Sequence, residues 1–314
     1  MMYGSRLTVL ALAGVMLAGC GRTAHAPPAA AASASAAAPS VPAPASGAPL
    51  ITDSPDLVHI EYHIYGRGEP AVVLIHGWSC NSSYWRAQLD DLKAHYTVVT
   101  LDLAGHGASG KNRTDWSIAN YAQDVAAVVR QLPAHQVVLV GHSMGGPIAL
   151  AAAPRIGARV IGIIGVDTFK SIGLPPPAHA KLEREVAPFR KDFIGTMHGF
   201  VPHLFTPQAD PAFVRKVADD MARASPDVAV PSLLALNELD FGTLLPQIRV
   251  PIIAINSDLE QGTDEARIRK AAPNFRAITL PGTGHFLMLQ DPQRFNPILL
   301  REIAALASAS PPGA

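Results

Sequence analysis

Residues 138–147 read VLVGHSMGGP. An apolar run stops at Gly141-His142-Ser143-Met144-Gly145, and helix-forming residues begin at once. A short apolar run bounded by glycine reads as a buried strand, and 143–153 reads as a helix. The corner between them is Gly-x-Ser-x-Gly. In a strand–turn–helix setting that pattern predicts a turn so tight that the serine hydroxyl is lifted clear of the sheet. The N–H of Met144, at the start of the new helix, then points to where negative charge would develop. The other reading is a corner that merely needed pliable backbone, and the rest of the chain decides between them.

Working outward, strand and helix patterns alternate. Segments 71–75, 97–101, 136–140, 160–166, 250–255 and 276–280 are short, apolar and largely β-branched, as strands covered on both faces should be. Segment 58–65 alternates apolar and polar, as a strand with one wet face does. Helical spacing marks 83–95, 117–132, 143–153 and 262–272, and Asp291-Pro292 opens a last helix that contains Pro297. The alternation predicts an α/β fold, a mostly parallel, doubly wound sheet with its chemistry at the carboxyl ends of the strands. Only 171–246 breaks it. That interval reads as a helical insertion laid over a core of 50–170 and 247–314. Phe193, Met197, Phe200 and Leu204 fall at helical spacing within it. This stripe is expected to pack against the body, with lining of an acyl pocket as the sharper alternative.

Composition narrows the functions. The 314 residues are 48% hydrophobic and carry 25 basic and 25 acidic side chains, a globular balance with no electrostatic case for nucleic acid. Twelve histidines occur without a His-Glu-x-x-His or Cys-x-x-Cys pattern, so no metal is expected. Residues 7–17, LTVLALAGVML, form an apolar run of signal-peptide length, and Leu17-Ala18-Gly19-Cys20 resembles a bacterial lipobox. The resemblance implies a signal over 1–19, cleavage before Cys20 and lipidation of that cysteine. Gly21 in place of aspartate favours the outer membrane, and an ordinary secretory signal is the alternative. Residues 20–49 are rich in alanine and proline and read as a tether that buries no core. The expectation is an exported domain that meets a membrane only through its lipid anchor. Cys80 is then left without an intramolecular partner.

A serine hydroxyl needs a base to remove its proton. His285, in Pro281-Gly282-Thr283-Gly284-His285-Phe286, lies on a glycine-rich loop just past the last strand. His76, His106 and His142 also stand at strand ends, where bracing turns is the simpler role. The carboxylate behind the base is assigned to Asp258, just past strand 250–255, with Asp167 and Glu260 as alternatives.

LIHGWSCNSSYW, LDLAGHGASG, LVGHSMGG and PGTGHFLMLQDP occur in that order, and together they resemble the α/β-hydrolase superfamily across about residues 57–308. The resemblance implies that the Trp78 N–H is a second oxyanion donor beside Met144. It also implies that Asp102 is structural, with Gly105 to Gly107 forming its turn, and that the insertion is a helical cap. Ile255-Asn256-Ser257-Asp258 departs from the family's Gly-x-x-Asp. The implied function is a serine hydrolase that opens a small carboxylic ester through an acyl-enzyme, with no cofactor. Carbon–carbon or lactone hydrolysis by the same serine is an alternative. A ligand-binding protein with little turnover is the reading from another class.

Overall fold

In the computed structural model, which describes residues 47–259 and 262–309, the chain opens with an antiparallel pair, β1 (Pro49–Asp53) and β2 (His59–Tyr65). Then come β3 (Ala71–Ile75), α1 (Arg86–Lys93), β4 (Thr97–Leu101), α2 (Ile118–Arg130), β5 (Val137–His142), α3 (Gly145–Ile156) and β6 (Val160–Val166). Four helices follow with no strand between them: α4 (His179–Lys191), α5 (Phe193–Phe200), α6 (Pro211–Met221) and α7 (Pro226–Asn237). The chain continues through β7 (Ile252–Ser257), α8 (Glu265–Ala271), β8 (Phe275–Leu280), α9 (Leu287–Gln290) and α10 (Pro292–Ala309). The expected signal, Cys20, nearly all of the tether and Glu260 lie outside the described residues.

All eight strands join one sheet in the order β1-β2-β4-β3-β5-β6-β7-β8. β2 runs antiparallel to β4, and every pairing from β4 to β8 is parallel. Every residue of β3 and β5 is buried, which explains their unbroken apolar sequences. The chain leaves β3 for β4 on one side and returns to β5 on the other. The crevice where strand order reverses therefore lies between β3 and β5, and Ile75 pairs with Gly141 at their carboxyl ends. Everything attached to these two ends is brought together there.

Local differences from the sequence reading have physical causes. β5 and β7 each run two residues past the expected stop because the parallel ladders continue to His142 and Ser257. β1 was not anticipated. Its residues are half-exposed or exposed, Ile51 at 65%, and its register with β2 holds it in place of burial. α10 passes unbroken through Pro297, since Phe295, Leu299, Ile303 and Leu306 bury one continuous face that outweighs the lost hydrogen bond.

Candidate active site

Ser143 follows β5 directly and has φ 52°, in the left-handed region that side chains with a β-carbon avoid. Its N–H donates to the Val166 carbonyl at 2.9 Å, and its own carbonyl accepts from Gly146 N at 3.0 Å. The flanking glycines answer to crowding. A β-carbon on Gly141 would stand 2.2 Å from the Gly145 carbonyl oxygen, and one on Gly145 would stand 2.5 Å from that of Ile75. The strain of the corner thus falls on the serine, at a cost of about 1–3 kcal/mol that the surrounding ladder must hold.

The turn after β3 closes against this corner. A β-carbon on Gly77 would lie 3.2 Å from Ser143 Cβ and 2.8 Å from His142 Nδ1. Trp78 and Met144 consequently flank Ser143, and among the described residues neither backbone N–H donates a hydrogen bond to the protein. Ser79 completes the turn at φ 55°.

The carboxylate that meets His285 is Asp167, and the assignment to Asp258 is corrected on this geometry. His285 Nδ1 donates to Asp167 Oδ2 at 2.7 Å. Asp167 follows β6 at φ 44°, and its N–H donates to the Ile255 carbonyl at 3.0 Å. Its other oxygen accepts from Ser257 N at 2.9 Å and Ser257 Oγ at 2.8 Å, with Lys170 Nζ at 3.0 Å. Burial pushes its pKa upward, but the bond and charge of His285, with Lys170 and Ser257, outweigh that and hold the carboxyl well below the usual range. Asp258 is exposed and accepts from Gly282 N at 2.8 Å, bracing the loop that carries His285. The longer β7 is the reason. It carries Ser257 onto Asp167 and leaves Asp258 beyond the sheet, while β6 ends beside the serine strand.

The other strand-end histidines support this arrangement. His142 Nε2 donates to the His285 carbonyl at 2.9 Å, so Nδ1 is the unprotonated nitrogen and lies buried without a partner. Burial and the neighbouring His285 lower the His142 pKa to about 3. His76 donates through Nδ1 to Gly77 O at 2.8 Å and accepts Leu103 N through Nε2 at 3.0 Å, tying the turns after β3 and β4 together. The His106 ring lies tilted against that of His76 with centroids 5.1 Å apart, and burial, with His76 beside it, lowers its pKa to about 3. Asp102 takes Ser82 N at 2.7 Å and Ala108 N at 2.8 Å, a bracing role that leaves no room for a β-carbon on Gly107. Among the described residues no group of three or more His, Cys, Asp or Glu side chains could hold a metal ion.

Contacts from the insertion were not legible in the sequence. The Trp78 indole donates to the Ala229 carbonyl in α7, and the His285 N–H donates to the Leu204 carbonyl at 2.8 Å. Leu204 ends a single turn, Val201–Leu204, after α5. Phe193, Met197 and Leu204 of the predicted stripe are buried and Phe200 is half-buried, with Phe193 and Phe200 edge-on to Trp78. No pattern in the sequence marks a main-chain carbonyl as an anchor.

A serine at positive φ just past β5, a histidine bonded to a buried carboxylate and two amides with no protein acceptor among the described residues are thus gathered at the strand ends. Residues 72–298 match the Alpha/beta hydrolase family, and the chain belongs to that family. It is 30% identical over 262 residues to the uncharacterised protein Rv2715 of Mycobacterium tuberculosis, which covers 76% of each chain. It is 26% identical to the pimeloyl-[acyl-carrier protein] methyl ester esterase of Yersinia enterocolitica, over 76% of this chain and 95% of that one. Among solved structures, an esterase from Exiguobacterium antarcticum aligns with a TM-score of 0.72 at 21% identity, covering 81% of this chain and 98% of that one. That last likeness bears on the fold alone.

Proposed function

We propose that the protein is a serine hydrolase that cleaves a small carboxylic ester through an acyl-enzyme. The observation that carries the reading is the 2.7 Å bond from His285 Nδ1 to Asp167. A neutral imidazole whose Nδ1–H is committed to a carboxylate presents Nε2 as its lone-pair nitrogen, the form a general base requires. His285 takes the Ser143 proton as the hydroxyl oxygen attacks the ester carbonyl, and the resulting oxyanion is met by the Trp78 and Met144 amides. Collapse of the tetrahedral species breaks the C–O bond, and the imidazolium returns its proton to the departing alkoxide. Water then attacks the acyl-serine with the same histidine as base, releasing the acid. Asp167 stays ionised throughout and stabilises the imidazolium. Membership of a family with esterase relatives supports the ester as substrate.

The test is turnover of a panel of chromogenic esters by the folded domain and by Ser143→Ala. Hydrolysis by the wild type and its loss in the variant are expected; absent turnover, or turnover unchanged by the substitution, contradicts the reading. We also propose export as a lipoprotein anchored at Cys20, on the strength of the run 7–17 and the residues before Cys20. Cys20→Ala should move the protein from the membrane fraction to the soluble one, and continued incorporation of labelled fatty acid would refute the anchor.

A further inference from the structure

Both halves of the reacting apparatus lean on the insertion. The Trp78 Nε1–H reaches the Ala229 carbonyl at 2.7 Å, across 151 positions of sequence. Its ring stands edge-on to Phe189, Phe193 and Phe200, with centroids 5.6, 6.4 and 6.1 Å away. Ala229 is fully buried, and its carbonyl also accepts the Ser232 hydroxyl at 3.1 Å. The other ties on this turn stay within the sheet-end loops: His76 Nδ1 donates to Gly77 O at 2.8 Å, and Cys80 donates through its thiol to Trp78 O at 3.3 Å and through its N–H to Gly77 O at 3.2 Å. On the far side of the site, a β-carbon on Gly284 would meet the Leu204 carbonyl at 2.6 Å, so the His285 loop is equally pressed against the insertion.

We propose that the Trp78 side chain is a positioning group: anchored in α7, it aims its own backbone N–H at the oxyanion. The insertion is then a working part of the oxyanion hole rather than a detachable cover. This rests on the reading of Ser143 as nucleophile and of the Trp78 amide as oxyanion donor. The physical reason is leverage. A donor stabilises the tetrahedral species only within about 2.7–3.1 Å of the oxyanion, and errors on the order of 1 Å are costly in rate. The turn at 77–80 carries a residue at positive φ; His76 and the close approach of His142 hold its Gly77 end, and the indole makes the side-chain hydrogen bond that holds Trp78 itself. A bond that tightens only on the transition state changes kcat and leaves ground-state binding alone.

The test replaces Trp78 in the full chain by 3-benzothienylalanine, which keeps the bicyclic shape and puts sulfur where the N–H stood. Trp78→Phe is a companion that keeps an aromatic ring among the three phenylalanines. The readouts are kcat and KM on a p-nitrophenyl ester, Ki for a trifluoromethyl ketone that forms a tetrahedral serine adduct, and the melting temperature. The benzothienyl variant should lose about tenfold in kcat with KM within about twofold, and the ketone Ki should rise by about the same tenfold. Its melting temperature should stay within a few degrees of wild type. Unchanged kcat and Ki overturn the proposal. So does a loss confined to KM, or a fall in kcat that the ketone does not share. Ser143→Ala in the same assay keeps the two claims apart, because wild-type turnover there defeats the nucleophile reading and not the anchoring.

Discussion

Ser143, Asp167 and Ser79 all stand at positive φ within the loops that follow β5, β6 and β3. Backbone held in such conformations is over-determined by its surroundings, and here the surroundings are the parallel ladders and the glycine-lined corner. The sequence singles out Ser143 and His285 because each sits in its own local motif, and the proposed function rests on that assignment. Asp167 was not readable as first choice. Asp167 and Asp258 both lie just past a strand end, and which of them meets the histidine depends on how far β7 extends, a tertiary quantity. The two should separate sharply in kinetics. Asp167→Asn removes the acceptor that holds Nδ1–H and the charge facing the imidazolium, and kcat should fall by roughly 10³–10⁴ with KM little changed. Asp258→Asn touches only the Gly282 amide and should cost less than about threefold. Steady-state kinetics of both variants decides it, and the reverse ranking would restore Asp258.

At the scale of elements, the strands were legible because parallel strands covered on both faces must be apolar without interruption. Their ends were less so. His142 closes β5, and His106 lies in the loop after β4. Burial holds both in the neutral form, with pKa lowered to about 3 in each case. The unfolded chain binds protons at these residues below about pH 6.5 while the folded one does not until about pH 3. Stability is therefore fully present above about pH 6.5 and drains away as pH falls toward 3, by at most about 1.4 kcal/mol per pH unit for each residue. His179 works in the opposite sense, its pKa raised by the hydrogen bond to Glu238, but that pair is exposed and screened. Urea midpoints measured from pH 7 to pH 4.5 should fall steadily. A flat or rising profile would mean that the histidines are not held neutral.

Across the whole molecule, one sheet brings residues 78, 143, 167 and 285 together at its strand ends, and the segment between β6 and β7 meets them through Leu204 and Ala229. The order of elements was readable from periodicity, and the family resemblance came from four motifs spread along the chain. The insertion was readable only as helical. Its contacts with the site run through the carbonyls of Leu204 and Ala229, and main-chain groups leave no trace in residue identity. The central claim is that Ser143 forms the covalent bond, with His285 and Asp167 behind it. A fluorophosphonate reaction followed by peptide mass mapping tests this most directly. The account predicts one adduct, on the peptide containing Ser143, lost in Ser143→Ala and formed far more slowly in Asp167→Asn. An adduct on another residue, or one that survives Ser143→Ala, would contradict it.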